Sequence, residues 1–151
     1  MQNRLVNTKF WADKYIVTLT PETKLLFLYF LTNPLANIAG IYELTIRQII
    51  FDTGLPAATI TKSLRKFQDD KKIYYLIEHG WVYLKNFQKH QALNNSFVAA
   101  GIVRVFRDVP GPILDEFEKL DKEFAAMRRS PEEQLAKIQK LRLGAPVKGM
   151  R

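Results

Sequence analysis

The spacing of hydrophobic positions changes from segment to segment along this chain, and each change marks an element. Leu25 to Leu31 reads LLFLYFL, an almost unbroken apolar run. Thr20 suits the N-cap before it, Pro21 the first helical position, and Glu22 the positive helix end. The pattern predicts a helix from Pro21 to about Leu31, ending near Asn33-Pro34, apolar on nearly every side and deep in the core. Asn37 to Tyr42 (NIAGIY) predicts a turn into a short strand. Thr45 and Gln48 form a capping box for a second helix with Ile46, Ile49 and Ile50 as its apolar face. Gly54 suits the stop of that helix, because glycine tolerates the left-handed conformation. Leu55 then plugs the turn and Pro56 opens a third helix. Ile60, Leu64 and Phe67 fall at spacings of four and three on one face, with Lys62, Arg65, Lys66 and Asp69 opposite. The β-rich runs Ile73–Ile77 and Trp81–Lys85, joined by Glu78-His79-Gly80, read as a hairpin.

Past His90 the pattern is helical again. Asn94, Asn95 or Ser96 caps a segment reaching about Asp108, and Pro110-Gly111-Pro112 breaks it. Ile113, Phe117, Leu120 and Phe124 keep spacings of four, three and four, which predicts an amphipathic helix to about Arg128. Asp115/Lys119 and Glu118/Lys122 are i,i+4 pairs on its wet side. Ser130-Pro131-Glu132-Glu133 predicts a new helix start, lined by Leu135, Ile138 and Leu141 and ended by Gly144, with a loose tail to Arg151. The fold class is mostly α with a small β-hairpin: a winged helix-turn-helix followed by two or three C-terminal helices. The organisation expected is a DNA-binding unit over residues 1–93 and a helical extension over 94–151. The apolar stripe of the extension predicts self-association through residues 112–143, which would lengthen the DNA site read by one winged unit.

Composition adds a partner. The chain of 151 residues is 47% hydrophobic and carries a formal charge of +8, which suits an anionic partner, most often nucleic acid. It has no cysteine, so disulfides and thiolate metal sites are excluded and an intracellular location fits. LLFLYFL is far shorter than the roughly 20 residues that span a bilayer, and the first residues hold no long apolar run, so neither membrane nor secretory leader is expected.

Enzymatic readings find no support. The only histidines are His79 and His90, and there is no HExxH, phosphate loop or GxGxxG, so no catalytic residue, metal or cofactor is expected. The candidate DNA contacts follow from the helix-turn-helix reading. Lys62, Arg65 and Lys66 lie on the exposed face of the third helix, where a cation can meet phosphate and an arginine can read guanine; the plain alternative is a solvated helix face. Thr59 and Thr61 lie near them and either touch DNA or are simply exposed. Arg47 begins the second helix, Lys71 and Lys72 precede the hairpin, and His79 tips it. Lys85, Lys89 and His90 follow it, and either bind phosphate or join the two parts of the chain.

The runs NTKFWADKYIVTLTPETKLLFLYFLTNP, NIAGIYEL and GWVYLKNFQKHQALNN, with the helix pair between them, resemble the N-terminal winged-helix domain of phage replication initiators, the DnaD-like replisome organisers. The resemblance covers about residues 3–95. It implies binding to double-stranded origin DNA, a contribution to recruiting a helicase or helicase loader, and the cytoplasm of the host cell. From the residues alone, a winged-helix transcriptional regulator and an interaction module that binds no DNA stand as alternatives.

Overall fold

A computed structural model of the protein describes residues 2–90 and 94–144. A 3-10 turn at Thr8–Ala12 leads into α1 (Lys14–Val17) and α2 (Pro21–Thr32). Then come β1 (Ile41–Glu43), α3 (Ile46–Thr53), α4 (Ala57–Asp69) and the hairpin β2 (Ile73–Leu76) and β3 (Trp81–Leu84). The chain continues as α5 (Ser96–Asp108), α6 (Gly111–Leu120) and α7 (Phe124–Gly144). The sheet is antiparallel in the order β1-β3-β2, with Ile41 opposite Tyr83 and Tyr74 opposite the same residue on the other side. This is the mostly α winged-helix arrangement that the sequence predicts.

Local signals act where the sequence places them. The Thr20 hydroxyl accepts from the backbone N–H of Thr23, and that of Thr45 accepts from Gln48. Of the α3 capping box, the bond to the Thr45 hydroxyl is made, and the Gln48 side chain turns along the helix to donate its amide to Asp52 at 2.8 Å. Gly54 ends α3 at φ +71°, the left-handed conformation that a Cβ would disfavour. The α2 helix is less enclosed than expected: Leu26 and Phe30 are fully buried, but Leu25 is exposed.

Both faces of the sheet are covered, which fixes the rest. Successive strand residues point to opposite sides. Ile73, Tyr75, Val82, Leu84 and Tyr42 join Leu26, Phe30, Ile60 and Phe67 in a core under the three-helix unit. Ile41, Tyr74, Leu76 and Tyr83 join Ile102, Phe106, Ile113, Phe117 and Phe124 in a second core under the trailing helices. Tyr83 is the centre of that second core, stacked on Tyr74 at 5.6 Å and met edge-on by Phe117 at 5.6 Å and Phe124 at 4.9 Å. Such aromatic pairs add about 0.5–1.5 kcal/mol each beyond burial.

This packing corrects three expectations. The stripe is covered within the chain and calls for no second copy to bury it: Ile113, Phe117 and Phe124 are buried, and only Leu120 of the four is exposed. The helix expected to run to Arg128 breaks at Asp121, where the chain bends so that Phe117 and Phe124 both reach Tyr83. Asp121 accepts from Lys85 Nζ at 3.1 Å and from the Tyr83 hydroxyl at 3.3 Å, and its carboxylate caps the next turn by accepting from Glu123 N. Last, α7 runs straight through Pro131 instead of starting there. A proline inside a helix costs about 3 kcal/mol or more; here Pro131 is buried, and α7 packs antiparallel along α5, with Phe106 near Phe124 at one end and Arg142 bonded to Ser96 at the other. The expected wet-side pairs also shift: Lys119 pairs with Glu116, and Glu118 with Arg128. The tail after Gly144 and the boundary at residue 93 lie outside the described residues.

Candidate nucleic-acid interface

The α4 helix is held from one side only. Ile60, Ser63, Leu64 and Phe67 are buried, and the Ser63 hydroxyl meets that of Thr23 on α2 at 2.9 Å. A buried hydroxyl pair satisfies both partners and fixes the rotation of α4 about its axis. The opposite face therefore turns to solvent, and Lys62, Arg65, Lys66 and Asp69 are exposed on it. They border a shallow open groove with Ala58, Thr61 and Asp70. Lys62 and Arg65 enter no ion pair among the described residues.

Lys66 is different. Its Nζ lies 3.0 Å from the Asp70 carboxylate, which also accepts from the Tyr15 hydroxyl at 2.8 Å. Hydrogen bonds from Lys66 and then Tyr15 hold the Asp70 carboxyl below its ordinary range. Partial burial first, and then Asp70, pushes the Tyr15 hydroxyl well up. The Tyr15 ring also carries Lys72 at 4.8 Å and Lys66 at 5.9 Å from its centroid, within cation–π reach. The end of α4 is thus a closed cluster of two cations, one carboxylate and one aromatic. Sequence spacing gives no hint that position 15 meets position 70.

Lys71 is held by the backbone. It is the one non-glycine among the described residues with positive φ, at +56°. Asp70 caps α4, Lys71 N donates to Gln68 O at 3.0 Å and Lys72 N to Phe67 O at 2.8 Å. That pair of bonds is a Schellman stop, whose left-handed position glycine usually fills. The exposed Lys71 side chain projects from the junction between α4 and the hairpin.

The remaining candidates scatter around this face. Arg47 is exposed on the first turn of α3. The hairpin loop is Ile77–Gly80, one residue longer than expected, and it closes against the start of α3, where Leu44 N donates to Gly80 O at 2.7 Å. His79 is exposed at that tip and lies in the field of Glu116 on α6, whose carboxyl is lowered mainly by Lys119 and slightly by His79. Thr61 donates its hydroxyl to Ala57 O at 2.9 Å, leaving it as an acceptor, and Thr59 is half-buried. Lys85 is not a free cation: it lies 3.1 Å from Asp121 and 3.3 Å from Glu123. Burial pulls its ammonium down, but those two carboxylates outweigh burial and leave it raised. Lys89 and His90 are exposed in a 3-10 turn at Phe87–His90.

Among the described residues, no group of three His, Cys, Asp or Glu side chains could hold a metal, and no helix is long and apolar enough to cross a membrane. Comparison with protein-family models, curated proteins and solved structures finds no match for this chain.

Proposed function

We propose that this protein binds double-stranded DNA through the outer face of α4 and serves in phage-type replication initiation, without catalysing a reaction. One observation carries the DNA reading: Lys62 and Arg65 stand unpaired among the described residues on the outer face of a helix whose inner face is locked into the core. A recognition helix needs that combination, because fixed geometry turns charge into register on the duplex. Lys71 and Arg47 flank the same helix and supply phosphate contacts. Lys66 and Lys72 are engaged with Tyr15 and Asp70, and they contribute less unless that cluster opens. His79 contributes at the tip of the hairpin.

The role in replication rests on the resemblance of residues 3–95 to replisome organisers, with a helicase or its loader as a further partner. The test is a gel shift of the purified chain against its own gene and flanking DNA at several salt concentrations. With three to five phosphate contacts, log K should fall with log salt at a slope of about −3 to −5. Protection of an origin-like segment supports replication, and protection of a promoter operator supports a regulator instead. Absence of duplex binding at low salt refutes the DNA reading.

A further inference from the structure

Two carboxylates, Asp69 and Asp70, border the same shallow groove as Lys62, Arg65 and Lys66. Asp69 enters no ion pair among the described residues. Asp70 is engaged twice through one oxygen: its Oδ2 accepts from Lys66 Nζ at 3.0 Å and from the Tyr15 hydroxyl at 2.8 Å. Tyr15 is itself fixed, since its backbone N–H donates to the Asp13 carboxylate at 2.9 Å and its ring meets Phe27 of α2 edge-on at 6.1 Å. The same ring carries Lys72 Nζ at 4.8 Å from its centroid. A lone i,i+4 ion pair on a surface is loose and weak. This one is pinned from α1, 55 residues away in sequence.

We propose that Asp70 is a built-in competitor for the DNA backbone: its carboxylate stands where a phosphate oxygen would bind beside Lys66 and Tyr15, and it keeps Lys66 out of duplex contact until it is displaced. The inference rests on the DNA reading and concerns the regulation of that same face. Ammonium groups and hydroxyls are the donors that meet backbone phosphates, and Asp70 Oδ2 takes one of each. A phosphate that approaches Lys66 meets a carboxylate 3.0 Å from the same Nζ. The new ion pair is then offset by loss of the old one and by repulsion between like charges. Hydrogen bonds from Lys66 and then Tyr15 hold the Asp70 carboxyl below its ordinary range, so it is charged at neutral pH and the competition is always present. Lys72 lies in the field of the same carboxylate and shares the Tyr15 ring, so it is released together with Lys66. Lys62 and Arg65, nearer the start of α4, form no ion pair among the described residues. The face is thus divided into cations open to phosphate and cations held back. Phosphate contacts supply the sequence-independent part of affinity, and Asp70 restrains that part.

The test is a double-mutant cycle on the full chain, read by the anisotropy of a fluorescent random-sequence duplex across a range of salt. Asp70→Asn keeps the shape of the side chain and removes its charge. The slope of log K against log salt should become more negative by about 0.9 for Lys66, and by about 1.8 with Lys72 released as well. Affinity near 0.1 M salt should rise by roughly tenfold. Asp70→Ser, a second uncharged variant, should repeat this result. Lys66→Gln should change the slope little in the parent, but should cost about 0.9 in the Asp70→Asn background. Glu132 of α7 is exposed and in no ion pair among the described residues. Glu132→Gln changes the net charge equally and should leave the slope of the parent. Duplex binding by the parent with a slope that Asp70→Asn and Asp70→Ser leave unchanged overturns this proposal and leaves the DNA reading standing. An equal cost of Lys66→Gln in both backgrounds, or an equal steepening by Glu132→Gln, also overturns it. Absence of duplex binding at low salt in the parent and in Asp70→Asn alike overturns both readings.

Discussion

Replacing Lys71 by glycine separates stability from contact, because the two should move in opposite directions. Lys71 sits at φ +56° in the Schellman stop of α4. The left-handed conformation costs an L-residue about 1–2 kcal/mol. Glycine removes that cost but gains freedom in the unfolded chain, which returns roughly 0.4–1 kcal/mol. The balance is a gain of about 0.5–1 kcal/mol for Lys71→Gly. In a chain of this size each kcal/mol moves the thermal midpoint by about 2–4 °C, so the midpoint should rise by roughly 1–4 °C.

If Lys71 meets a phosphate, the same substitution removes one released counterion. The slope of log K against log salt should then become less negative by about 0.9. Lys71→Asn is the control, since asparagine tolerates the left-handed region without carrying a charge. It should lose the same slope while gaining less stability. Thermal unfolding and urea midpoints read the first effect, and salt-dependent gel shifts read the second. A destabilised Lys71→Gly would refute the account of the helix stop. A stabilised one with unchanged salt slope would remove Lys71 from the DNA contacts.

Leu64→Ala should cost roughly 2–5 kcal/mol, because Leu64 is buried under α4, whereas Lys62→Ala should stay within about 0.5 kcal/mol and weaken duplex binding; the reverse pattern in urea titrations would mean the helix faces are exchanged. Phe117→Ala should cost about 3–5 kcal/mol, and deletion of residues 110–151 should yield an unfolded or aggregating product by circular dichroism, since Tyr74, Tyr83 and Ile41 would lose their cover; a well-folded truncated monomer would count against one shared core. Burial pushes the Tyr75 hydroxyl up to about 12, above its unfolded value near 10. The protonated form is therefore favoured by folding, and this contribution is full below about pH 10 and lost as pH rises toward 12; tyrosinate absorbance that appears with normal affinity in the folded protein would contradict it. Asp70 has the opposite sign: its lowered carboxyl contributes above the ordinary carboxylate range and loses that contribution as pH falls through the lowered value. Asp70→Asn should therefore flatten the acid limb of a stability-versus-pH profile, and an unchanged limb would deny the cluster with Lys66 and Tyr15 any weight.

Local rules made the first half of the fold legible. A threonine before a proline, a threonine three residues before a glutamine, and a glycine closing the isoleucine-bearing helix each act through neighbours in sequence, and α2 begins, and α3 begins and ends, where they predict. The exposed face of α4 was legible for the same reason, since a spacing of four and three has one meaning on a helix. The errors lie where distant residues decide. Nothing near Asp121 announces that Lys85 and Tyr83 will draw it into the core and break a helix there. Ser130-Pro131 is a sound helix start by every local rule, yet packing on α5 carries the helix through it. The holding of Lys66 by Asp70 was open to inspection as an i,i+4 pair, but the Tyr15 that completes the cluster was not.

The buried back face of the sheet changes what the trailing helices are for. A hairpin with one wet face can flex as a wing. Here β2 and β3 are clamped between the three-helix unit and the aromatic cluster around Tyr83, so the hairpin, the start of α3 and the end of α4 share one rigid frame. Self-association is then not needed to hide the Ile113–Phe124 stripe. The energy of that stripe goes instead into holding Lys71, His79 and the α4 face in fixed relation. Rigidity of this kind lowers the ordering cost of any partner that meets the face, and it favours contacts made at fixed spacing over contacts made by adjustment.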